Sequence, residues 1–246
     1  MALAPAERGA YPQFLPGEGR MPLVNEVRAI GEFFNIQFHP IYFGLGVPHG
    51  TGDPVLTIPG FTASDASLFY LNTFLRRINY RVYPSGIIYH RDPEREITRL
   101  SQRVKEIHKR EGQRVHIVGH SLGGVVGRGV CHLNPDEIAS FTAFGSPIGD
   151  FEKDVDPFVL AWANMTVPSF NQPDELRKRK EQLSEPLHGG IKTTYIYTID
   201  DGVVDWRSTV DNSHQAKNIE VPGTHSALVA NPHAFRHLAN TLADTI

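Results

Sequence analysis

Cysteine occurs once in these 246 residues, at position 131. A single thiol closes no intrachain disulfide, so this chain must hold itself together by burying a core, and it is long enough to do so without staples. Charge of one sign is also lacking. The 24 Lys and Arg stand against 27 Asp and Glu, a net charge of -3, which implies no general attraction to nucleic acid or to an anionic membrane. No apolar run is long enough to cross a bilayer. The N-terminus, MALAPAERGAYPQF, lacks the basic-then-apolar pattern of a secretory signal. These absences lead us to expect a cytoplasmic protein with no integral membrane segment. The one basic run, RKRK at 177–180, is flanked by Asp174, Glu175 and Glu181 and reads as a solvated helix face. Internal repeats are absent too.

What is present is an ordinary globular composition, 40% hydrophobic and 21% charged, fitting one large α/β domain over residues 1–246. After a Pro- and Gly-rich arm over 1–22, apolar spacing near 3.6 predicts a helix at 23–35. The aromatic stretch FFNIQFHPIYF (33–43) either packs in the core or lines an apolar substrate site. β-branched and apolar runs predict strands at 55–59, 81–88, 114–118, 137–144, 193–199 and 218–221. Helices are expected at 65–78, 93–111, 122–133 and about 231–244, the second opening on a proline and closing at Gly112. Cys131 falls in an apolar run and reads as a small core residue. Alternating strands and helices imply a mostly parallel sheet of about six strands flanked by helices. The stretch from 145 to 192 is long for a connection. It contains an apolar segment at 157–167 and a charged helix at 173–183, and residues 150–190 read either as a lid-like insertion before the fifth strand or as a decorated crossover.

In open parallel sheets, ligands bind beyond the carboxyl ends of the strands. After the third strand comes GHSLGG (119–124), a G-x-S-x-G in the setting that motif needs, strand before and helix after. Ser121 would stand in a sharp turn flanked by small residues, at a helix N-terminus suited to developing negative charge. The alternative is a glycine-rich turn that binds an anion. A serine hydroxyl needs a base near 3 Å and a group to orient that base. Of twelve histidines, His225 follows the last strand on a Pro-Gly loop and is the expected base. His120 adjoins Ser121 but should point away, and His233 and His237 share a helix face rather than a metal. The acid is expected after the fifth strand: Asp201, whose Val203-Val204 successors can anchor the loop, ahead of Asp200 and Asp205. Backbone N–H groups of Leu122 and of Phe61, with Thr62 as second choice, would bind an oxyanion.

These pieces resemble the α/β-hydrolase superfamily, and within it the bacterial lipases and esterases. The resemblance is carried by PGF (59–61), GHSLGG (119–124), GSPIGD (145–150), DGVV (201–204) and GTH (223–225). GSPIGD is similar to a segment that in many lipases carries His where Ile148 stands here, which points away from a true triacylglycerol lipase. No strands are evident before Val55, so the expectation is a compact α/β-hydrolase fold. The resemblance implies a serine carboxylic-ester hydrolase acting through an acyl-enzyme on a small-molecule ester or lipid, with Ser121, His225 and Asp201 as triad and no cofactor or metal. It leaves open an acyltransferase, thioesterase or amidase with the same nucleophile, and a non-catalytic binding protein on the same fold.

Overall fold

A computed structural model describes residues 21–89, 92–148, 154–166, 185–187, 190–213 and 216–245. Six strands form one sheet: β1 (Pro54–Ile58), β2 (Arg81–Pro84), β3 (Val115–His120), β4 (Ile138–Phe144), β5 (Lys192–Tyr197) and β6 (Ala216–Glu220). Their order is β2-β1-β3-β4-β5-β6, and every neighbouring pair is parallel. Helices α1 (Ala29–Asn35), α2 (Phe69–Arg77), α3 (Pro93–Glu111), α4 (Leu122–Leu133), α5 (Pro157–Thr166) and α6 (Pro232–Ala243) complete it.

Both faces of the four central strands, β1, β3, β4 and β5, are buried. Val55, Val118, Phe144 and Ile196 pack with Leu71, Phe74, Phe235 and Leu238 of α2 and α6 on one side. Leu56, Ile117, Phe141 and Tyr195 pack with Leu100, Val104 and Val126 of α3 and α4 on the other. This is the period-2 alternation of strand side chains, with both sets apolar because helices cover both faces. Helix α3 shows how sequence sets an element. Asp92 accepts a hydrogen bond from the Glu94 N–H at 3.1 Å, Pro93 takes the first position, and Gly112 ends the helix in the left-handed region at φ 66°. Its buried stripe of Ile97, Leu100, Val104 and Ile107 contributes roughly 1.5–3 kcal/mol per side chain.

The sequence predicts β2 through residue 88, but the strand stops at Pro84. The backbone donors beyond it go elsewhere. The Asp65 carboxylate accepts from Ser85 N–H at 3.0 Å and from Gly86 N–H at 2.7 Å, and Gly86 turns at φ 80°. The helices predicted over 23–35 and 65–78 each begin as a 3-10 turn, Leu23–Arg28 and Asp65–Leu68. The aromatic stretch divides. Tyr42 is buried, Phe33 lines the cavity described below, and Phe34, Phe38 and Phe43 are exposed. Cys131 is buried. Of the apolar segment at 157–167, residues Pro157–Thr166 form helix α5; the arm over 1–20, residue 167, the basic run 177–180 and the charged helix at 173–183 lie outside the described residues. No helix among the described residues is long and apolar enough to cross a membrane.

From β1 the chain moves to one side to build β2, then returns to place β3 on the other side. The reversal leaves a crevice between the carboxyl ends of β1 and β3, where Ile58 pairs with Gly119. The loops after those two strands therefore meet.

Candidate active site

Ser121 occupies that crevice. It caps α4 with φ 51° and ψ -125°, a conformation that L-residues adopt only when the surroundings impose it. The Ser121 N–H donates to Phe144 O at 2.8 Å and its carbonyl accepts from Gly124 N–H at 2.9 Å. The flanking glycines are required by close approach. A Cβ on Gly119 would lie 2.5 Å from the Gly123 carbonyl oxygen and the Gly124 backbone, and one on Gly123 would collide with the carbonyl oxygens of Ile58 and Pro59. The strand, turn and helix are thus pressed backbone to backbone, which forces the Ser121 side chain out into the cavity beside it.

His225 lies on the loop after β6 and Asp201 on the loop after β5. Their side chains meet: His225 Nδ1 is 2.7 Å from Asp201 Oδ2. Asp201 is 1% and His225 5% exposed, so the pair is almost dry. The other Asp201 oxygen accepts from the N–H groups of Val203 at 2.8 Å and Val204 at 2.7 Å. The apolar pair after the aspartate therefore anchors it through backbone donors as well as by burial. Asp200 instead approaches Arg28 at 3.4 Å, and Asp205 pairs with Arg207 at 2.5 Å and accepts the Arg207 N–H. Neither of these two carboxylates is joined to His225 by a hydrogen bond. Burial by itself would lower the His225 pKa; the charge and hydrogen bond of Asp201, with the charge of Glu26, outweigh it and hold the pKa above 6.5. With Nδ1 engaged by the carboxylate, Nε2 is the ring nitrogen left to take a proton.

Ser121 and His225 line one cavity of about 450 Å³, together with Phe61, Leu122, Trp162 and Val204. Its walls are mainly apolar. Gly60 passes so close to Ser121 that a Cβ there would lie 3.2 Å from the Ser121 Cβ. That closeness brings Phe61 and Thr62 to the rim, and the chain bends at Thr62 with φ 57°. Leu122 is the first residue of α4, so its N–H has no partner within the helix. One wall is α5, which contributes Val159, Leu160, Trp162 and Ala163. The Trp162 ring meets Phe61 edge-on at 5.9 Å. The start of α5 is tied to the Asp201 loop: Asp156 N–H donates to Val203 O, Asp205 N–H to Asp154 O, and Val155 bridges Val204.

Three sets of contacts here carry no sequence signal. Chain position alone points the His120 ring away from the site, yet it packs against His225 with centroids 5.0 Å apart and Nε2 3.1 Å from the His225 carbonyl oxygen. Burial, aided by His225 and opposed by that hydrogen bond, pushes its pKa down to about 3, so the ring is neutral and its Nε2–H donates. Gly145, in the segment after β4, turns at φ 54° where a Cβ would lie 3.0 Å from His225 Nδ1. Glu26 and Glu32, far back in the chain, accept hydrogen bonds from the His225 loop. No group of three or more His, Cys, Asp or Glu able to hold a metal occurs among the described residues.

Residues 109–190 match the family described as alpha/beta hydrolase fold. Among curated proteins none matches. Among solved structures, the chain resembles the mature lipase of Bacillus licheniformis with a TM-score of 0.62 at 15% identity, over 82% of this chain and 95% of that one. It resembles a soluble variant of the Saccharomyces cerevisiae monoglyceride lipase with a TM-score of 0.58 at 16% identity, over 80% and 88%. A thioesterase domain from the curacin biosynthetic pathway gives a TM-score of 0.56 at 15% identity, over 77% and 92%. At such identities the likeness is one of fold. The family match over a third of the chain and the solved structures agree that this chain has the α/β-hydrolase fold.

Proposed function

We propose that this protein is a serine carboxylic-ester hydrolase acting on apolar acyl esters, built as a single domain with part of residues 150–190 walling the acyl site. The observation that carries the reading is the buried 2.7 Å contact between His225 and Asp201 at a mainly apolar cavity that Ser121 also lines. In this reading Ser121 attacks the ester carbonyl as His225 takes its proton. Asp201 fixes the imidazole tautomer and stabilises its charged form. The Phe61 and Leu122 N–H groups hold the tetrahedral oxyanion. His225 then protonates the leaving alcohol and activates water to release the acid. No step calls for a metal or an organic cofactor.

The test is labelling by a fluorophosphonate together with hydrolysis of p-nitrophenyl esters of increasing chain length. Wild type is expected to label and to turn over esters, and Ser121→Ala to do neither. Labelling that survives the substitution rules out Ser121. Turnover of thioesters or amides with esters untouched reassigns the acyl group to a thioesterase or amidase reaction.

A further inference from the structure

We propose that Glu26 is a positioning residue, a carboxylate from the N-terminal helical segment that clamps the acid and base loops into one arrangement. The proposal rests on the roles given above to Ser121, Asp201 and His225. Glu26 stands in the 3-10 turn before α1, yet its two oxygens are spent on the opposite end of the chain. Oε1 accepts from the N–H of Gly202 at 3.0 Å and of His225 at 3.2 Å, and Oε2 from the N–H of Ser226 at 2.9 Å. One side chain thus bridges the residue after Asp201 to His225 and its successor. The approach is close: a Cβ on Gly202 would lie 3.0 Å from Glu26 Oε1 and from the Pro22 carbonyl oxygen. Gly202 and His225 are buried, so without this acceptor their N–H groups would lose a partner where water does not readily replace it.

Neighbouring residues hold Glu26 in register. Met21 N–H donates to Asp201 O at 2.8 Å, the Asn25 amide to Asp200 O at 2.6 Å, and Glu32 accepts the N–H and hydroxyl of Thr224 at 3.0 and 2.9 Å. None of these contacts touches a reacting atom. Their shared effect is to set the distance between two loops that no strand pairing joins directly at this point. Glu26 also acts through charge. The charged and titratable groups that bear on the His225 ring are Asp201 from the loop after β5, His120 from the end of β3, and Glu26, whose carboxylate accepts the His225 backbone N–H. With His120 neutral, the two carboxylates stabilise the imidazolium together.

The experiment measures p-nitrophenyl ester hydrolysis between pH 5 and 9 for wild type, Glu26→Gln and Glu26→Asp, with active sites counted by fluorophosphonate. Glu26→Gln is expected to lower kcat roughly 10- to 100-fold with KM little changed, as misplacement of a reacting group does. Its acid limb should move to lower pH, because the neutral base survives to lower pH once a stabilising charge is gone. Glu26→Asp keeps the charge but shortens the reach, so its rate should fall while its acid limb stays close to wild type. A purely structural role would leave the acid limb of both variants in place. If wild type hydrolyses esters and Ser121→Ala does not, while Glu26→Gln keeps wild-type kcat and an unmoved limb, the clamp is overturned and the triad stands. If wild type neither labels nor turns over, the underlying assignment falls and the clamp with it. If Glu26→Gln does not fold, Glu26→Asp decides: a wild-type kcat, or a reduced kcat accompanied by an equal loss of thermal stability, overturns the proposal, and a reduced kcat with KM and Tm at wild-type values upholds it.

Discussion

Replacing Asp201 by Asn separates the proposed chemistry from the fold more sharply than any other change. The substituted side chain keeps an oxygen for the Val203 and Val204 N–H groups, which Asp201 holds at 2.8 and 2.7 Å, so the loop retains its local anchor. Its amide group then faces His225 Nδ1, which sits 2.7 Å from Asp201 Oδ2. The amide donates, so Nδ1 must accept, and the remaining proton moves to Nε2, the nitrogen that should take the serine proton. The transition state also loses a charge beside the forming imidazolium. At an effective dielectric of about 20 and a charge separation of about 4 Å that attraction is about 4 kcal/mol, or about three decades of rate. With the wrong tautomer added, kcat should fall on the order of 10⁴-fold. Stability should barely move, because removing a nearly buried charge also removes its desolvation cost; a change of about 1 kcal/mol would shift Tm by only about 2–4 °C in a chain of this length. Asp205→Asn supplies the contrast. It disturbs an ion pair with Arg207 and should leave kcat close to wild type. The assay is kcat/KM on one p-nitrophenyl ester with thermal unfolding in parallel. A value for Asp201→Asn within about tenfold of wild type, or an equal loss in Asp205→Asn, would refute the assignment of the acid.

Two further outcomes follow from the structure. His116 is buried, with Nδ1 2.7 Å from Ser140 Oγ, and burial, offset by Asp53 and aided by Arg114, pushes its pKa down to about 4. The unfolded imidazole takes up its proton near pH 6.5, so this stability is complete above that pH and is lost as pH falls toward 4. Wild type should lose on the order of 3 kcal/mol more than His116→Gln over that window in urea unfolding; parallel curves would show that His116 does not drive the loss. Trp162→Ala, which opens the α5 wall against Phe61, should move ester preference to longer acyl chains. Each methylene newly accommodated is worth about 0.8 kcal/mol, roughly fourfold in kcat/KM, and an unchanged chain-length ladder would show that α5 does not bound the acyl site.

The order of elements, the parallel sheet and the turn at Ser121 were all legible in the chain, because each rests on local pattern. Period-2 and period-3.6 burial, a proline before α3, a glycine after it and glycines around a serine act within a few residues of one another. The hydrogen bonds of the Asp201 carboxylate to Val203 and Val204 are local in the same way: an apolar pair two and three residues on turns its N–H groups back onto it. What tertiary structure decided is everything set by backbones meeting across the sheet. That β2 stops at Pro84 depends on a carboxylate twenty residues away. That His120 packs beneath His225 depends on the loop after β6 folding over the end of β3. Glu26 bonds to residues 202, 225 and 226 because the N-terminal turn comes to rest against two loops it does not adjoin in sequence. Hydrogen bonds of such long separation leave no spacing to read: Glu26 is the one acidic residue on its turn, but nothing near it in the sequence names its partners, and only the packed fold brings them within reach.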